Sequence, residues 1–297
     1  PLCDNGGSTE TFALLQGSPA LNAGDAAHCP DVDQRGVARP QGAGCDLGAY
    51  EATAPTATTD PASNVAATGA MLRGTVRSPG WPTDVTFGYG LTTDYGATAA
   101  SPQNPVNALS NTAVSAAVAD LEPNRTYHYR IVAENGVGTT IGEDRTFTTL
   151  AVAPTVATGA ADGLSGEGAT LHATVNAHNS PATVFFDYGL TAAYGASVAA
   201  TPGQATGNAN TSVQAVLAGL NPNTEYHYRV RATNAVSTTY GADGAFTTAK
   251  VPPTVTTDPE SGVSSSGATL HGTVNARNAD TTVTFEYGTT AGYGTTA

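Results

Sequence analysis

A proline turn followed by an alternating strand occurs twice in this chain, and it constrains the fold more than any other feature. The two copies cover residues 121–135 and 220–234, which places them 99 residues apart. In each copy, aromatic or aliphatic residues alternate with histidine and arginine, which predicts a β-strand with one buried face. The second copy alternates as Tyr226, His227, Tyr228, Arg229, Val230 and Arg231.

The same 99-residue register continues along most of the chain. The aligned blocks are 71–76, 170–175 and 269–274, then 89–96, 188–195 and 287–294. Charged residues make up only 12% of the chain, and short alternating strands with regular turns recur, which favours strands over long helices. The period predicts an all-β chain of tandem β-sandwiches joined by short linkers that contain proline.

Each proline turn carries a tyrosine six residues after a leucine, as in Leu121 and Tyr127 or Leu220 and Tyr226. This spacing resembles the tyrosine corner of fibronectin type III domains, whose hydroxyl bonds to upstream backbone. The resemblance covers residues 55–297. It implies immunoglobulin-like (fibronectin type III-like) β-sandwiches, with Tyr127 and Tyr226 as structural corners. The family's usual core tryptophan on the second strand is missing, and we expect tyrosines to fill that space.

Alternation and turn residues predict seven strands in the second repeat. On the third strand, Val184, Phe186 and Tyr188 are expected to point inward, whereas Phe185 and Asp187 point outward. The seven predicted strands cover residues 155–158, 168–176, 182–188, 194–200, 210–218, 224–233 and 238–248.

Residues 1–51 differ in pattern from the repeats. Their four spaced blocks are residues 4–9, 17–25, 33–40 and 44–51. These blocks resemble the closing segment of bacterial right-handed parallel β-helix proteins of the pectin-lyase-like type. That resemblance implies further coils upstream, because a solenoid needs several stacked turns to bury a core. The predicted domains are 1–51 (β-helix end), 55–149 and 153–248 (complete sandwiches) and 253–297 (incomplete sandwich).

The three cysteines all lie in this first segment. Cys29 and Cys45 flank a turn-rich loop, and we predict a disulfide between them, worth ~3 kcal/mol in the chain-entropy model. The alternative is a metal pair with His28 and Asp31, although no second Cys/His pair accompanies it. Cys3 is left over. A disulfide would indicate an oxidising environment, so the predicted location is extracellular or at a cell surface.

The chain is acidic, with a net charge of −13 and a single lysine, Lys250. Nucleic acids and anionic membranes attract clusters of lysine and arginine, so neither is expected as a partner. No apolar run approaches the roughly 20 residues that a membrane-spanning helix needs. The expected partners are other domains of the same longer chain, with surface glycans or other subunits as alternatives.

No spacing typical of catalysis occurs in the sequence, which has no ordered Ser/His/Asp triad, phosphate-binding loop or suitably spaced acid pair. His128 and His227 are repeat equivalents, as are His172 and His271, and all four fall on outward strand positions. We expect them to be solvated or paired across strands rather than to bind a metal. No cofactor is expected.

Four aspartates cluster in the N-terminal segment. Turn capping is the simpler interpretation, because aspartate side chains accept hydrogen bonds from nearby backbone amides. Calcium binding is the alternative, since oxygen-rich turns can hold this ion. The four residues are Asp25, Asp31, Asp33 and Asp46.

Trp81 is the only tryptophan, and it lies in the loop between the second and third strands of the first repeat. Sandwich loops often carry recognition, so an exposed indole there is a candidate to stack on a sugar ring. The equivalent residues Ser180 and Ala279 are small. A local packing anchor is therefore the favoured interpretation, and a ligand contact is the alternative.

Together these patterns favour a non-catalytic structural or adhesive stalk that belongs to a larger secreted or cell-surface protein. One alternative is an accessory region of a polysaccharide-degrading β-helix enzyme whose catalytic part lies upstream. Another is a carbohydrate-binding module. Because the third repeat has equivalents of only the first four strands, we expect the chain to be a fragment, completed by further sequence or by strands from another subunit.

Overall fold

The computed structural model describes residues 2–297. All regular elements in that range are β-strands, and none of its segments is a helix long and apolar enough to cross a membrane. The predicted all-β sandwich architecture is therefore confirmed. Contacts divide the chain into two compact units, one ending at Ala151 and one beginning at Val152. The four domain boundaries expected from the sequence stay predictions.

The first unit contains a fibronectin type III-like sandwich. Its strands are β1 (Thr56–Ser63), β2 (Ala70–Arg77), β3 (Asp84–Gly90), β4 (Ala97–Ala100), β5 (Thr112–Val118), β6 (Thr126–Glu134), β7 (Thr139–Ile141) and β8 (Arg145–Thr148). One sheet has the order β1-β2-β5, and the other has the order β4-β3-β6-β7, with β8 also paired to β6. The two sheets enclose a core in which Leu72, Phe87, Tyr129 and Ile131 are fully buried. Burial of each such side chain stabilises the fold by roughly 1.5–3 kcal/mol.

The second unit contains a sandwich with the same succession of strands. They are β9 (Thr155–Thr158), β10 (Gly168–Asn176), β11 (Ala182–Gly189), β12 (Ala196–Ala205), β13 (Asn210–Ala218), β14 (Glu225–Thr233), β15 (Thr238–Tyr240) and β16 (Gly244–Thr247). Its two sheets join into one path because β12 pairs with β11 and, at Thr201 and Gln214, also with β13. Val184 and Phe186 are fully buried, and Tyr188 packs against the core, as predicted.

The strand predicted over residues 238–248 is in fact two strands, β15 and β16, which both pair with β14. They are separated at Gly241, where any side chain would overlap the Thr158 hydroxyl of β9. That hydroxyl accepts a hydrogen bond from the backbone nitrogen of Val230 at 3.3 Å. A side chain of the facing sheet therefore occupies the gap, and the first sandwich has the same arrangement.

The third repeat, within the second unit, forms two separate strand pairs. Its strands are β17 (Thr254–Ser261), β18 (Thr269–Asn275), β19 (Glu286–Tyr287) and β20 (Thr295–Thr296). β17 pairs with β18, and β19 pairs with β20. Val283 is 50% exposed although its equivalent Val184 is fully buried, and Tyr287 is 47% exposed although its equivalent Tyr188 packs against the core. This repeat therefore has an open apolar face.

Residues 2–51 contain turns and isolated antiparallel bridges instead of extended strands. The bridges join Cys3 to Thr11 and Val32 to Ala38. Because this part of the chain has few regular strand pairs, its shape depends on side-chain hydrogen bonds. Its resemblance to the end of a parallel β-helix stays a prediction.

Candidate interaction surfaces

A disulfide joins Cys29 to Cys45, whose Cα atoms are 6.3 Å apart. Cys3 is exposed and lies outside this bond. His28, the possible metal partner, instead has its Nδ1 2.6 Å from Oδ2 of Asp25, and this hydrogen bond lowers the pKa of the Asp25 carboxyl. Both sulfurs are therefore engaged, and residues 2–297 contain no group of three or more side chains placed to hold a metal ion.

Asp33 is buried and caps several backbone amides, whereas nearby Asp31 is exposed. Its carboxylate accepts hydrogen bonds from the backbone nitrogens of Arg35, Val37 and Glu51, at 2.7, 3.0 and 2.9 Å. The Arg35 guanidinium also donates to it at 2.7 Å. Burial by itself would raise the pKa of Asp33, but these hydrogen bonds together lower the pKa below its ordinary value. The charged carboxylate thus acts as a turn cap.

A second pair of buried carboxylates, on Asp46 and Glu51, holds the end of this segment. Asp46 accepts hydrogen bonds from the backbone nitrogens of Asn22 and Ala52, both at 2.7 Å. Glu51 accepts one from the Asp46 nitrogen at 2.9 Å and lies 3.5 Å from Nε of Arg39. These oxygens are thus engaged by backbone amide donors, and the Arg39 guanidinium forms an ion pair with Glu51. Calcium binding stays a prediction with no located site among residues 2–297.

Trp81 lies where the N-terminal segment meets the loops at one end of the first sandwich. Its side chain is 2% exposed and clusters with Tyr50 and Ala52. The Tyr50 hydroxyl donates a hydrogen bond to the Pro79 carbonyl at 3.0 Å. An indole that stacks on a sugar must be exposed, so its burial argues against the ligand contact considered from the sequence. In this structure Trp81 is a packing anchor.

Gly136, in the loop between β6 and β7, completes this contact because any side chain there would overlap Cζ3 of Trp81. The equivalent residues of the second sandwich are Ser180 and Ala235. Gly136 was not predicted, although its change together with Trp81 between the internal repeats is a signal that would have indicated it. We call the contact of Tyr50, Trp81 and Gly136 the Trp81 joint.

The tyrosines expected at the two corners are both buried and hydrogen-bonded. The Tyr127 hydroxyl accepts a hydrogen bond from the backbone nitrogen of Glu122 at 2.9 Å. The Tyr226 hydroxyl accepts one from that of Asn221 at 3.0 Å. Each ring also stacks on a phenylalanine near the end of its sandwich, with ring centroids 5.7 Å apart. Both tyrosines thus fix the turn that precedes their strand.

In the second unit, the third repeat contacts one end of the second sandwich through the loop after β18. The Asn278 side-chain nitrogen donates hydrogen bonds to the Pro222 carbonyl and the Thr224 hydroxyl, both at 3.1 Å. Nη1 of Arg277 lies 3.1 Å from Oε1 of Glu167. A neighbouring segment is therefore seated on the end of a sandwich in this unit, as it is in the first.

A polar cluster recurs on the outer face of both complete sandwiches. In the first, the Tyr95 hydroxyl donates to Oδ1 of Asp144 at 3.0 Å, and Nδ1 of His128 lies 2.8 Å from Oδ2 of Asp144. The Arg130 guanidinium lies 4.4 Å from the centre of the Tyr95 ring. Burial raises the pKa of Tyr95 most, and the hydrogen bond to Asp144 raises the pKa further. In the second sandwich the equivalent residues are Tyr194, Asp243, His227 and Arg229. We call these two sets of four residues the outer clusters.

The remaining two histidines of the repeat pattern are also close to polar side chains. Nε2 of His172 lies 2.9 Å from Oδ1 of Asp162. Nε2 of His271 lies 2.6 Å from the Ser261 hydroxyl. His172 and His271 therefore pair with neighbours within their own repeats.

The strand order and the sandwich cores define a fibronectin type III-like β-sandwich protein. No family model and no curated protein matches the sequence. Among solved structures, the first to third fibronectin domains of chicken CNTN1 share 18% identity, over 73% of this chain and 76% of that chain, with a TM-score of 0.38. The sensor domain of the anti-sigma factor RsgI4 of Pseudobacteroides cellulosolvens shares 24% identity, over 33% of this chain and 96% of that chain, with a TM-score of 0.27.

Proposed function

We propose that this chain is a non-catalytic spacer in a larger extracellular protein. The observation that supports this proposal is that one end of each complete sandwich is in contact with a neighbouring segment of the chain. The Trp81 joint covers one end of the first sandwich, and Arg277 and Asn278 contact one end of the second. End contacts of this kind suit modules joined in series, whereas antibody variable domains use the loops at one end for their ligands.

The chemistry of the outer clusters also supports a non-catalytic role. Each histidine–aspartate pair links a strand to a loop, since His128 lies in β6 and Asp144 precedes β8. The second carboxylate oxygen of Asp144 accepts a hydrogen bond from Tyr95, in the loop before β4, and that of Asp243 accepts one from Tyr194. The contacts of both clusters thus hold loops against the sheet, which is a structural task.

The disulfide between Cys29 and Cys45 supports an extracellular location, because such bonds persist in oxidising compartments. In this proposal residues 1–51 end a parallel β-helix and the sandwiches hold that module at a distance from its attachment point. The partners are then the other domains of the same longer chain.

Single-molecule stretching of the whole chain tests the spacer role. We expect separate unfolding of the two complete sandwiches, each releasing about 30 nm of chain at roughly 3.5 Å per residue. Uronic-acid polymers should remain intact when incubated with the same protein. Extension without a resolved unfolding event would contradict the spacer, and polymer cleavage that is lost on a point substitution would contradict the non-catalytic assignment.

A further inference from the structure

The sheets that carry the two outer clusters differ at two adjoining positions, where the second sandwich has Asp187 and Arg231 and the first has Gly88 and Val132. In the second sandwich, the Asp187 carboxylate forms ion pairs with two arginines, with Nε of Arg229 at 3.4 Å and Nε of Arg231 at 3.2 Å. In the first sandwich the equivalent residue is Gly88, which is opposite Thr98 on β4 and Arg130 on β6. Arg130 of the first cluster therefore lacks the carboxylate that its equivalent Arg229 has in Asp187.

Arg130 consequently has a distinct electrostatic environment. It is half-buried and stacks on Tyr95, yet no carboxylate of residues 2–297 forms an ion pair with it within 4.0 Å. A surface groove of about 440 Å³ lies beside it. The side chains and backbone that line this groove include Thr86, Gly88, Asp94, Tyr95, Thr98 and Arg130.

The groove suits a ligand with one carboxylate and several hydroxyl groups. A guanidinium matches the geometry of a carboxylate, and its stacking on an aromatic ring orients it for that contact. Thr86 and Thr98 carry hydroxyls that can donate to and accept from sugar hydroxyls. Arg130 is the one cation of this lining and Asp94 is an anion within it, so the groove is suited to one carboxylate and disfavours a dense polyanion.

We propose that this groove binds a uronic acid residue of a glycan, whose carboxylate pairs with Arg130 over Gly88. That carboxylate takes the position of the Asp187 side chain in the second sandwich. An acidic protein side chain has the same charge but no hydroxyls to match the two threonines, which is why a sugar is favoured. The site is independent of the spacer role, since it lies on a sheet face and not at a sandwich end.

The test is an NMR titration of the isotope-labelled full chain with methyl β-D-glucuronide. We expect a dissociation constant on the order of millimolar, as suits one sugar with one charged contact. The amide signals of Gly88, Thr98 and Arg130 should shift, and those of the equivalent Asp187, Ser197 and Arg229 should not. Methyl β-D-glucoside, which lacks the charge, should bind at least about tenfold more weakly.

Four variants make the assignment specific. Arg130→Gln and Gly88→Asp should each weaken binding at least about tenfold, the second by supplying an internal carboxylate as Asp187 does. Room exists for this change, because a β-carbon at Gly88 would lie 3.5 Å from Cβ of Tyr95. Asp94→Asn should tighten binding by removing a like charge. Asp187→Gly should create at most weaker binding on the second sandwich, because Phe185 stands there in place of Thr86.

Thermal unfolding and a dispersed amide spectrum of the substituted sandwich verify that each variant is folded. Absence of shifts at tens of millimolar glucuronide would overturn the proposal. So would equal binding of the uncharged glucoside, or Gly88→Asp and Arg130→Gln variants that bind like the parent. Shifts produced by N-acetylglutamate amide but not by the glucuronide would assign the groove to an acidic protein partner and reject the glycan.

Discussion

At the scale of the residue, the Trp81 joint places a large indole against a position that tolerates no side chain. Gly136→Ala should therefore destabilise the first unit by about 1–3 kcal/mol, the usual cost of overpacking a closed contact. Because Trp81 is the only tryptophan, its fluorescence reports denaturant unfolding of this unit alone. A change below about 0.5 kcal/mol in the unfolding free energy would contradict the prediction, because substitutions at unconstrained surface sites usually have effects of that size.

A matched double variant separates the contact from the general effect of the substitution. Trp81→Ser recreates the residue found at position 180, so Gly136→Ala should cause no further loss in that background. Variants that carry Trp81→Ser have no tryptophan fluorescence, so hydrogen exchange measures their stability. Ala235→Gly, the reverse change in the second sandwich, should leave the first unit unaffected.

The carboxyl of Asp243 makes the stability of the second outer cluster dependent on pH. Its hydrogen bond from His227, outweighing the effect of burial, lowers the pKa of Asp243 below the ordinary value of 3.8. A lowered folded-state pKa means that the stabilisation is present above about pH 4 and is lost as the pH falls through the folded value. Asp243→Asn should therefore flatten the loss of stability in acid, and a thermal-unfolding series from pH 5 to pH 2 measures it. Identical acid profiles for the parent and the variant would refute this linkage.

At the scale of the element, the third repeat should be the least protected part of the described strands. β17 and β18 pair only with each other, whereas β10 pairs with both β9 and β13 over a buried core. Exposed side chains and strand edges favour local opening. Hydrogen exchange across residues 269–287 should accordingly be faster than across 170–188 at the same pH and temperature. Equal protection in a purified monomer would contradict this prediction.

Strand alternation was enough to predict most of this architecture. Val184 and Phe186 point inward because a pleated strand turns successive side chains to opposite faces, and that rule needs no knowledge of the rest of the fold. The break at Gly241 depends on the approach of Thr158 from the facing sheet, which no local pattern contains. For the same reason, the position of Trp81 against Tyr50 was not accessible from its own loop.

The candidate sites followed the same division. The pairing of Cys29 with Cys45 could be proposed from loop length, because the signal lies within one short segment. Strands β3, β4 and β6 together form the groove beside Arg130. Its interpretation as a binding site depends on the difference between Gly88 and Asp187 at equivalent positions. Such a site becomes visible only when strand register places those residues in one row.

At the scale of the whole molecule, the disulfide between Cys29 and Cys45 should stabilise one unit and not the other. Loss of the crosslink through paired Cys29→Ala and Cys45→Ala substitutions should cost ~3 kcal/mol by the loop-entropy relation. Hydrogen exchange of the full chain should then rise in residues 2–52 and stay unchanged in the second sandwich. Cys3→Ala serves as the control, and an effect of equal size from it would contradict the assignment.

The Trp81 joint also limits how a chain of this kind can lengthen. A tandem row grows when one of its modules is duplicated, and the new copy must be acceptable in its new surroundings. A duplicate of the second sandwich has only the small residues Ser180 and Ala235 at the positions equivalent to Trp81 and Gly136, so it would expose little apolar surface. A duplicate of the first would carry a bare indole into water unless residues 2–52 were copied with it. Lengthening by duplication is therefore easier for the second sandwich than for the first.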